Sequence, residues 1–215
     1  MNIILLGLPG SGKGTQSEFI SNKQNIPHIS TGSLFRKADQ DGTELGLVAR
    51  QYTAKGELVP DEITIGIALE RLDQDDCSQG FLLDGFPRNL AQAEALNQYA
   101  AARNKMIDHV IYIETDEALL LERLIGRRVC PACGKTFHLM NHPPQIDGQC
   151  DYCSAKLIQR ADDSEETVKE RLKVNRRLTD RLVEYYDSKS VLRTVSGSKE
   201  IHELSEDIAE LLQRD

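Results

Sequence analysis

The sequence predicts an α/β chain: a five-stranded parallel sheet flanked by helices, with two inserted segments. Three observations carry that expectation. Five short apolar, partly β-branched runs, residues 2–6, 27–30, 80–84, 108–114 and 190–195, read as buried strands. Helical segments fill the intervals, as right-handed crossovers between parallel strands require. A glycine-rich turn follows the first run directly.

That turn, Gly7-Leu8-Pro9-Gly10-Ser11-Gly12-Lys13-Gly14-Thr15-Gln16, joins a strand to the start of a helix. Glycines let backbone N–H groups wrap an anion, and the helix N-terminus adds positive potential. Lys13 is placed to reach β- and γ-phosphates, and the Thr15 hydroxyl to face Mg2+. Gly14 intervenes where the common pattern has Ser or Thr directly after the lysine. A ligand-free βα turn is the plain alternative.

After the second strand, residues 30–59 replace a simple crossover with polar helical sequence. Residues 61–73 open on Asp61 after Pro60, a good helix start. The third strand ends in Asp84, an acid of the kind that holds Mg2+ or its waters in phosphate-loop enzymes; read alone, it also suits a surface turn. Phe86-Pro87-Arg88 then places an arginine just past the strand end, at the edge where open α/β sheets bind ligands. Residues 126–163 break the pattern, carrying four cysteines and three of the seven prolines. The clearest helix is 164–187: Asp163 and Glu166 form a capping-box-like pair, and Val168, Leu172, Leu178 and Leu182 follow helical spacing.

A chain of 215 residues suffices for one domain with insertions or two small ones. With 40% hydrophobic and 28% charged residues it reads as an ordinary soluble globular protein. A net charge of −8 disfavours nucleic acid or an acidic membrane as partner, so an anionic ligand needs a local cluster of cations. No run approaches a membrane span, and the N-terminal apolar run lacks the flanks of a signal peptide. The expected location is the cytoplasm, where cysteines point to metal or catalysis before disulfides.

Cys130-Pro131-Ala132-Cys133 and Cys150-Asp151-Tyr152-Cys153 are two knuckles separated by sixteen residues, within zinc-site spacing. Four thiolates close a tetrahedron and leave no position for water, so the metal is expected to be structural Zn2+, with iron the alternative. Two disulfides, or a ligand set borrowing His138 or His142, compete with this reading. Cys77 lies apart and reads as an inert thiol.

Taken together, these motifs resemble the adenylate kinases over essentially the full chain, in their long bacterial form with a metal-binding lid. The matching residues are Gly7 to Gln16, Ser30-Thr31-Gly32 with Arg36, Gly56 to Glu62, Gly80 to Arg88 with Gln92, Arg123 and Arg127, the cysteine knuckles, and Arg160-Ala161-Asp162-Asp163 with Arg171. The resemblance implies the P-loop nucleoside monophosphate kinase fold. Its core is 1–29, 60–125 and 164–215, its AMP-binding lobe 30–59 and its zinc-binding lid 126–163. It implies a monomer whose partners are ATP, AMP and ADP, and phosphoryl transfer from Mg-ATP to AMP giving two ADP.

By the same resemblance, ATP lies on Gly10, Ser11, Gly12, Lys13, Gly14 and Thr15 under Arg123 and Arg127, with Thr136, Phe137 and the backbone near Lys199 as base and lid contacts. AMP meets Thr31, Arg36, Glu57, Leu58, Val59, Gly85, Phe86, Pro87, Arg88 and Gln92, and Arg160 and Arg171 bridge the transferring phosphates. Thr15 and Asp84 form the magnesium neighbourhood. Lys13, Arg88, Arg123, Arg127, Arg160 and Arg171 are the expected catalytic cations, because a phosphate nucleophile is already anionic and the obstacle is charge repulsion. Arg128, Arg176 and Arg177 match no motif and read as solvated.

Two departures stand out. Ser33 replaces an acid usual in the family, and Thr179-Asp180-Arg181-Leu182 replaces a stretch that commonly holds proline. A kinase for another base is the competing enzyme. A zinc-knuckle nucleic-acid module and an inactive nucleotide-binding scaffold are the other readings.

Overall fold

A computed structural model describes residues 1–213. Its central sheet has five parallel strands: β1 (Asn2–Leu6), β2 (His28–Ser30), β3 (Phe81–Asp84), β4 (His109–Glu114) and β7 (Leu192–Ser196). Their spatial order is β2-β3-β1-β4-β7. The five predicted strands are all present. The last begins two residues later than expected, because Ser190 takes a left-handed conformation (φ 60°) in the turn that ends the preceding helix.

Alternation along β1 divides the core. Ile4 and Leu6 face α4 (Asp61–Leu72), α5 (Leu90–Ala102) and α7 (Glu165–Asp187), joining Ala68, Leu96 and Tyr186. Ile3 and Leu5 face α1 (Lys13–Gln24) and α8 (Ile201–Leu211), joining Ile20 and Ile208. Both sheet faces are therefore covered, which is why the strands read as continuous apolar runs.

Register places the site. Leu5 and Ser30 both pair with Asp84, so β1, β2 and β3 end side by side. The chain goes from β1 to one side of the sheet and later returns to the other, opening a crevice beyond these strand ends.

Residues 30–59 hold α2 (Thr31–Gln40) and α3 (Glu44–Thr53), whose Phe35 and Ala49 form a small core with Val59. Beyond α6 (Glu117–Ile125), β5 (Arg127–Val129) and β6 (Thr136–His138) make an antiparallel pair with its own core of Cys130, Phe137, Cys150 and Leu157. Lys135 of this second insert forms an ion pair with Glu18 on α1.

Helix α7 runs for 23 residues without interruption, as the absence of proline predicts. Its cap differs from expectation. Ser164, not Asp163, accepts the Thr167 N–H at the N-terminus. Asp163 is fully buried and its carboxylate serves arginines instead. Among the described residues no helix is long and apolar enough to cross a membrane.

Candidate active site

The turn after β1 depends on left-handed glycines. Gly10 has φ 87°, and a Cβ there would lie 3.0–3.1 Å from Leu124 and the Leu120 carbonyl, so α6 would have to give by a few tenths of an ångström to pack over the loop. Gly12 (φ 97°) begins α1 with no side-chain cap, leaving its first N–H groups to an external acceptor. Lys13 folds back, its Nζ donating to the carbonyls of Gly7 (2.7 Å) and Leu8 (2.9 Å). Its pKa is lowered to about 8. Burial is the main cause; Asp84 opposes it, and Arg88, Arg171 and Arg127 add to it. Thr15 is exposed beside the loop.

Asp84, at the tip of β3, stands 3.6 Å from His28. Burial alone would raise its pKa, but the neighbouring His28 and the charges of Lys13 and Arg88 hold it below the usual carboxylate range. Beyond it, the Gly85 carbonyl accepts from both the Thr31 hydroxyl and Arg88 Nε, each at 2.9 Å. Gly85 is left-handed, and a Cβ would come within 3.1 Å of the Arg88 guanidinium. The Phe86–Pro87 peptide bond is cis. The Arg88 N–H donates to Gln92 Oε1 at 2.8 Å.

Across the crevice, Asp162 and Asp163 gather three arginines. Arg127 makes a two-pronged bond to Asp163 (2.7 and 2.5 Å). Arg160 does the same to Asp162 (2.9 and 2.7 Å). Arg171 donates to the Asp162 carbonyl at 2.6 Å and to Asp163 at 3.1 Å. Arg36 is crowded by protein yet reached by solvent through the cleft. Its pKa falls to about 10, first from that crowding and then from Arg160, with Asp162 opposing and Arg127 adding. Its Nη2 donates to Ser33 Oγ at 2.9 Å, so at this departure a neutral oxygen holds the guanidinium.

The structure thus brings Lys13, Arg36, Arg88, Arg127, Arg160 and Arg171 into mutual electrostatic range. Glu57, Leu58 and Val59 line a cavity with Thr31, Arg88 and Gln92. Arg123 is tethered separately, Nη1 to the Gly197 carbonyl at 2.9 Å. Two side chains point to partners within the protein. The Phe137 ring is buried in the second insert and stacked on His142, with centroids 5.7 Å apart. The Lys199 ammonium pairs with Asp207 at the surface.

The four thiols of Cys130, Cys133, Cys150 and Cys153 lie within 4.8 Å of one another. Tetrahedral Zn–S bonds of about 2.3 Å put sulfurs about 3.8 Å apart, so the set fits a single ion. The knuckles repeat one geometry. The N–H groups of Gly134 and Ser154, both left-handed, donate to the carbonyls of Cys130 and Cys150. Sulfur separations of 3.4 and 3.5 Å are not disulfide bonds. His138 Nδ1 accepts from the backbone N–H groups of Met140 and Asn141, outside the cluster. Cys77, apart from it, has its pKa raised by burial.

Asp61, read from sequence only as a helix start, accepts from Asn89 and Gln92. Asp163, read as a cap, is the anchor of Arg127. Neither role leaves a local sequence signal, because each partner lies 28 to 36 residues away.

The family model described as adenylate kinase matches residues 5–191. An adenylate kinase of Geobacillus sp. (strain WCH70) is 55% identical over 212 residues, covering 99% of this chain and 98% of its own. Those of Bacillus subtilis (strain 168) and Clostridium botulinum (strain Alaska E43 / Type E3) are 54% and 51% identical, also over 99% of this chain, and are themselves covered to 98% and 99%.

Proposed function

The chain belongs to the adenylate kinases, enzymes that convert ATP and AMP to two ADP. From that premise we propose that transfer is direct and in-line, inside the arginine-lined crevice, with each substrate held by its own group of residues. ATP lies on Gly10 to Thr15, covered by Arg123 and Arg127. AMP lies against Thr31, Arg36, Glu57 to Val59, Gly85 to Arg88 and Gln92. Arg160 and Arg171 span the gap. Thr15 and Asp84 would hold the Mg2+ that accompanies ATP, or its waters, and the ion would supply positive charge against the phosphates.

The observation that carries this reading is the convergence of Lys13, Arg36, Arg88 and Arg171 with Arg127 and Arg160: burial lowers the pKa of each of the first four, and neighbouring arginines of the group lower it further. Asp84, Asp162, Asp163, the Ser33 hydroxyl and backbone carbonyls hold these cations, with more positive than negative charge. Two phosphate chains supply the missing anions. No general base is required, since an AMP phosphate oxygen is already ionised at neutral pH. Residues 30–59 act as the AMP lobe and 126–163 as the lid. The Lys135–Glu18 pair fixes the lid over α1, and closure keeps water from competing for the phosphoryl group.

Turnover with AMP, UMP, CMP and GMP under matched Mg-ATP tests this. AMP should dominate, and a leading UMP or CMP rate would overturn the assignment of the acceptor pocket.

The lid metal is zinc, structural, and outside the transfer step. Metal analysis should return one zinc per chain. Its removal should expose 126–163 to protease, because a core of four buried residues cannot hold this segment alone. Loss of about 3 kcal/mol would lower Tm by roughly 6–12 °C. Metal-bound thiolates suit the reducing cytoplasm, where we place the enzyme, acting as a monomer.

A further inference from the structure

Asp61 lies outside the phosphate-binding set, yet it controls the side chain beside the acceptor base. Gln92 is 1% exposed and lines the cavity that also holds Thr31 and Val59. Both ends of its amide are specified. Oε1 accepts the Arg88 N–H at 2.8 Å, and Nε2 donates to Asp61 Oδ1 at 2.7 Å. A backbone N–H can only donate and a carboxylate can only accept, so the amide cannot be turned over. Asn89 keeps Asp61 in place, donating to both its oxygens at 2.8 and 3.1 Å, while its own Oδ1 caps α5 at the Gln92 N–H.

Nε2 carries two hydrogens, and Asp61 takes one. The other remains a donor for the cavity. Thr31 is fixed in the opposite sense. Its hydroxyl hydrogen goes to the Gly85 carbonyl at 2.9 Å, so what remains is an acceptor. An acceptor and a donor side by side match the adenine edge, with its N6 amino donor and N1 acceptor. They oppose hypoxanthine and guanine, which present O6 as acceptor and N1–H as donor.

We propose that Asp61 is a positioning residue for purine choice: by taking one Gln92 amide hydrogen it keeps a donor, and never an acceptor, facing N1 of the acceptor base. This rests on the assignment of AMP to this cavity.

The test compares AMP with IMP, which has nearly the same size and shape but the inverted hydrogen-bond edge. With Mg-ATP as donor, kcat/KM is measured for both in the wild type, Asp61→Asn and Asp61→Ala. The wild type should favour AMP by about 10²-fold or more, as sites built on buried polar pairing do. Asp61→Asn keeps an acceptor oxygen and should preserve the ratio within about threefold. Asp61→Ala should narrow it about tenfold, by raising KM for AMP while KM for ATP stays constant. If alanine unfolds the start of α4, Asp61→Ser, too short to reach Nε2, carries the same expectation. An AMP:IMP ratio unchanged in the alanine or serine variant overturns the role of Asp61. A wild type that prefers UMP or CMP overturns the acceptor-site assignment instead.

Discussion

Lys13→Met should lower kcat by about 10²–10³-fold and, at pH 7 without nucleotide, make the protein more stable. The two effects share one cause. The Lys13 ammonium is buried among Arg88, Arg171 and Arg127, and its pKa is lowered to about 8 from 10.5. Below pH 8 it is protonated in both folded and unfolded chains, and the folded state carries the whole penalty. Between about 8 and 10.5 the unfolded chain binds a proton that the folded one releases, so wild-type stability rises with pH. Methionine keeps the length and removes the charge. After allowance for solvent in the cleft and the two lost carbonyl contacts, the gain should be about 1–2 kcal/mol at pH 7. Urea unfolding across pH 7–10.5 checks this. The difference between variant and wild type should shrink as pH rises through 8. A variant less stable at pH 7, or a difference that does not vary with pH, contradicts the argument.

Asp163→Asn should cost about 3–5 kcal/mol of stability, among the largest effects of any near-isosteric change in this chain. The Asp163 side chain is fully buried, takes both prongs of Arg127 and also meets Arg171 at 3.1 Å. A carboxamide sets an NH2 against guanidinium N–H groups and leaves two cations short of an anion. By contrast, Glu117→Ala breaks the solvent-exposed pair with Arg176 at 3.3 Å and should cost under about 1 kcal/mol. Thermal and urea unfolding compare the two. The asparagine variant should also lose turnover, because Arg127 and Arg171 no longer converge on the cleft. Equal stability losses at the two sites would show that burial does not govern these pairs.

The misreading of Asp163 marks a boundary of what sequence can carry. A capping box spans four residues, from N-cap to N3, and by sequence Asp163 with Glu166 fits it better than Ser164 with Thr167 does. Burial decides between them, and it depends on β5 arriving from 36 residues away. Asp61 is the same case. As a helix opener it is legible, but its hold on Gln92 exists only because α4 and α5 pack together. The strands and phosphate loop were legible because their signals are local: apolar runs, then glycines where φ must be positive. The cysteine knuckles were legible for the same reason. The arginines came from family resemblance, since a lone arginine has no local pattern separating a ligand contact from a solvated surface. Phe137 adds a detail that route does not carry: a motif position leaves open which way the ring points, and here it is buried.

The unbroken α7 has a mechanical consequence. At about 1.5 Å per residue its 23 residues form a rod about 34 Å long. One end is sunk in the core at Leu182 and Tyr186, and the other begins at Ser164, where segment 126–163 joins, with Val168 and Leu172 packed on α6. With no proline to soften it, bending mid-shaft would break backbone hydrogen bonds one after another. If 126–163 moves as the proposed lid, the rotation falls to the few residues before the rod, Arg160 to Ser164, and to those around Gly126 on the opposite strap. Those residues include the carboxylates that grip Arg127, Arg160 and Arg171. On that reading the pivot and the clamp are the same piece of chain, and a swing of 126–163 would re-aim the cations.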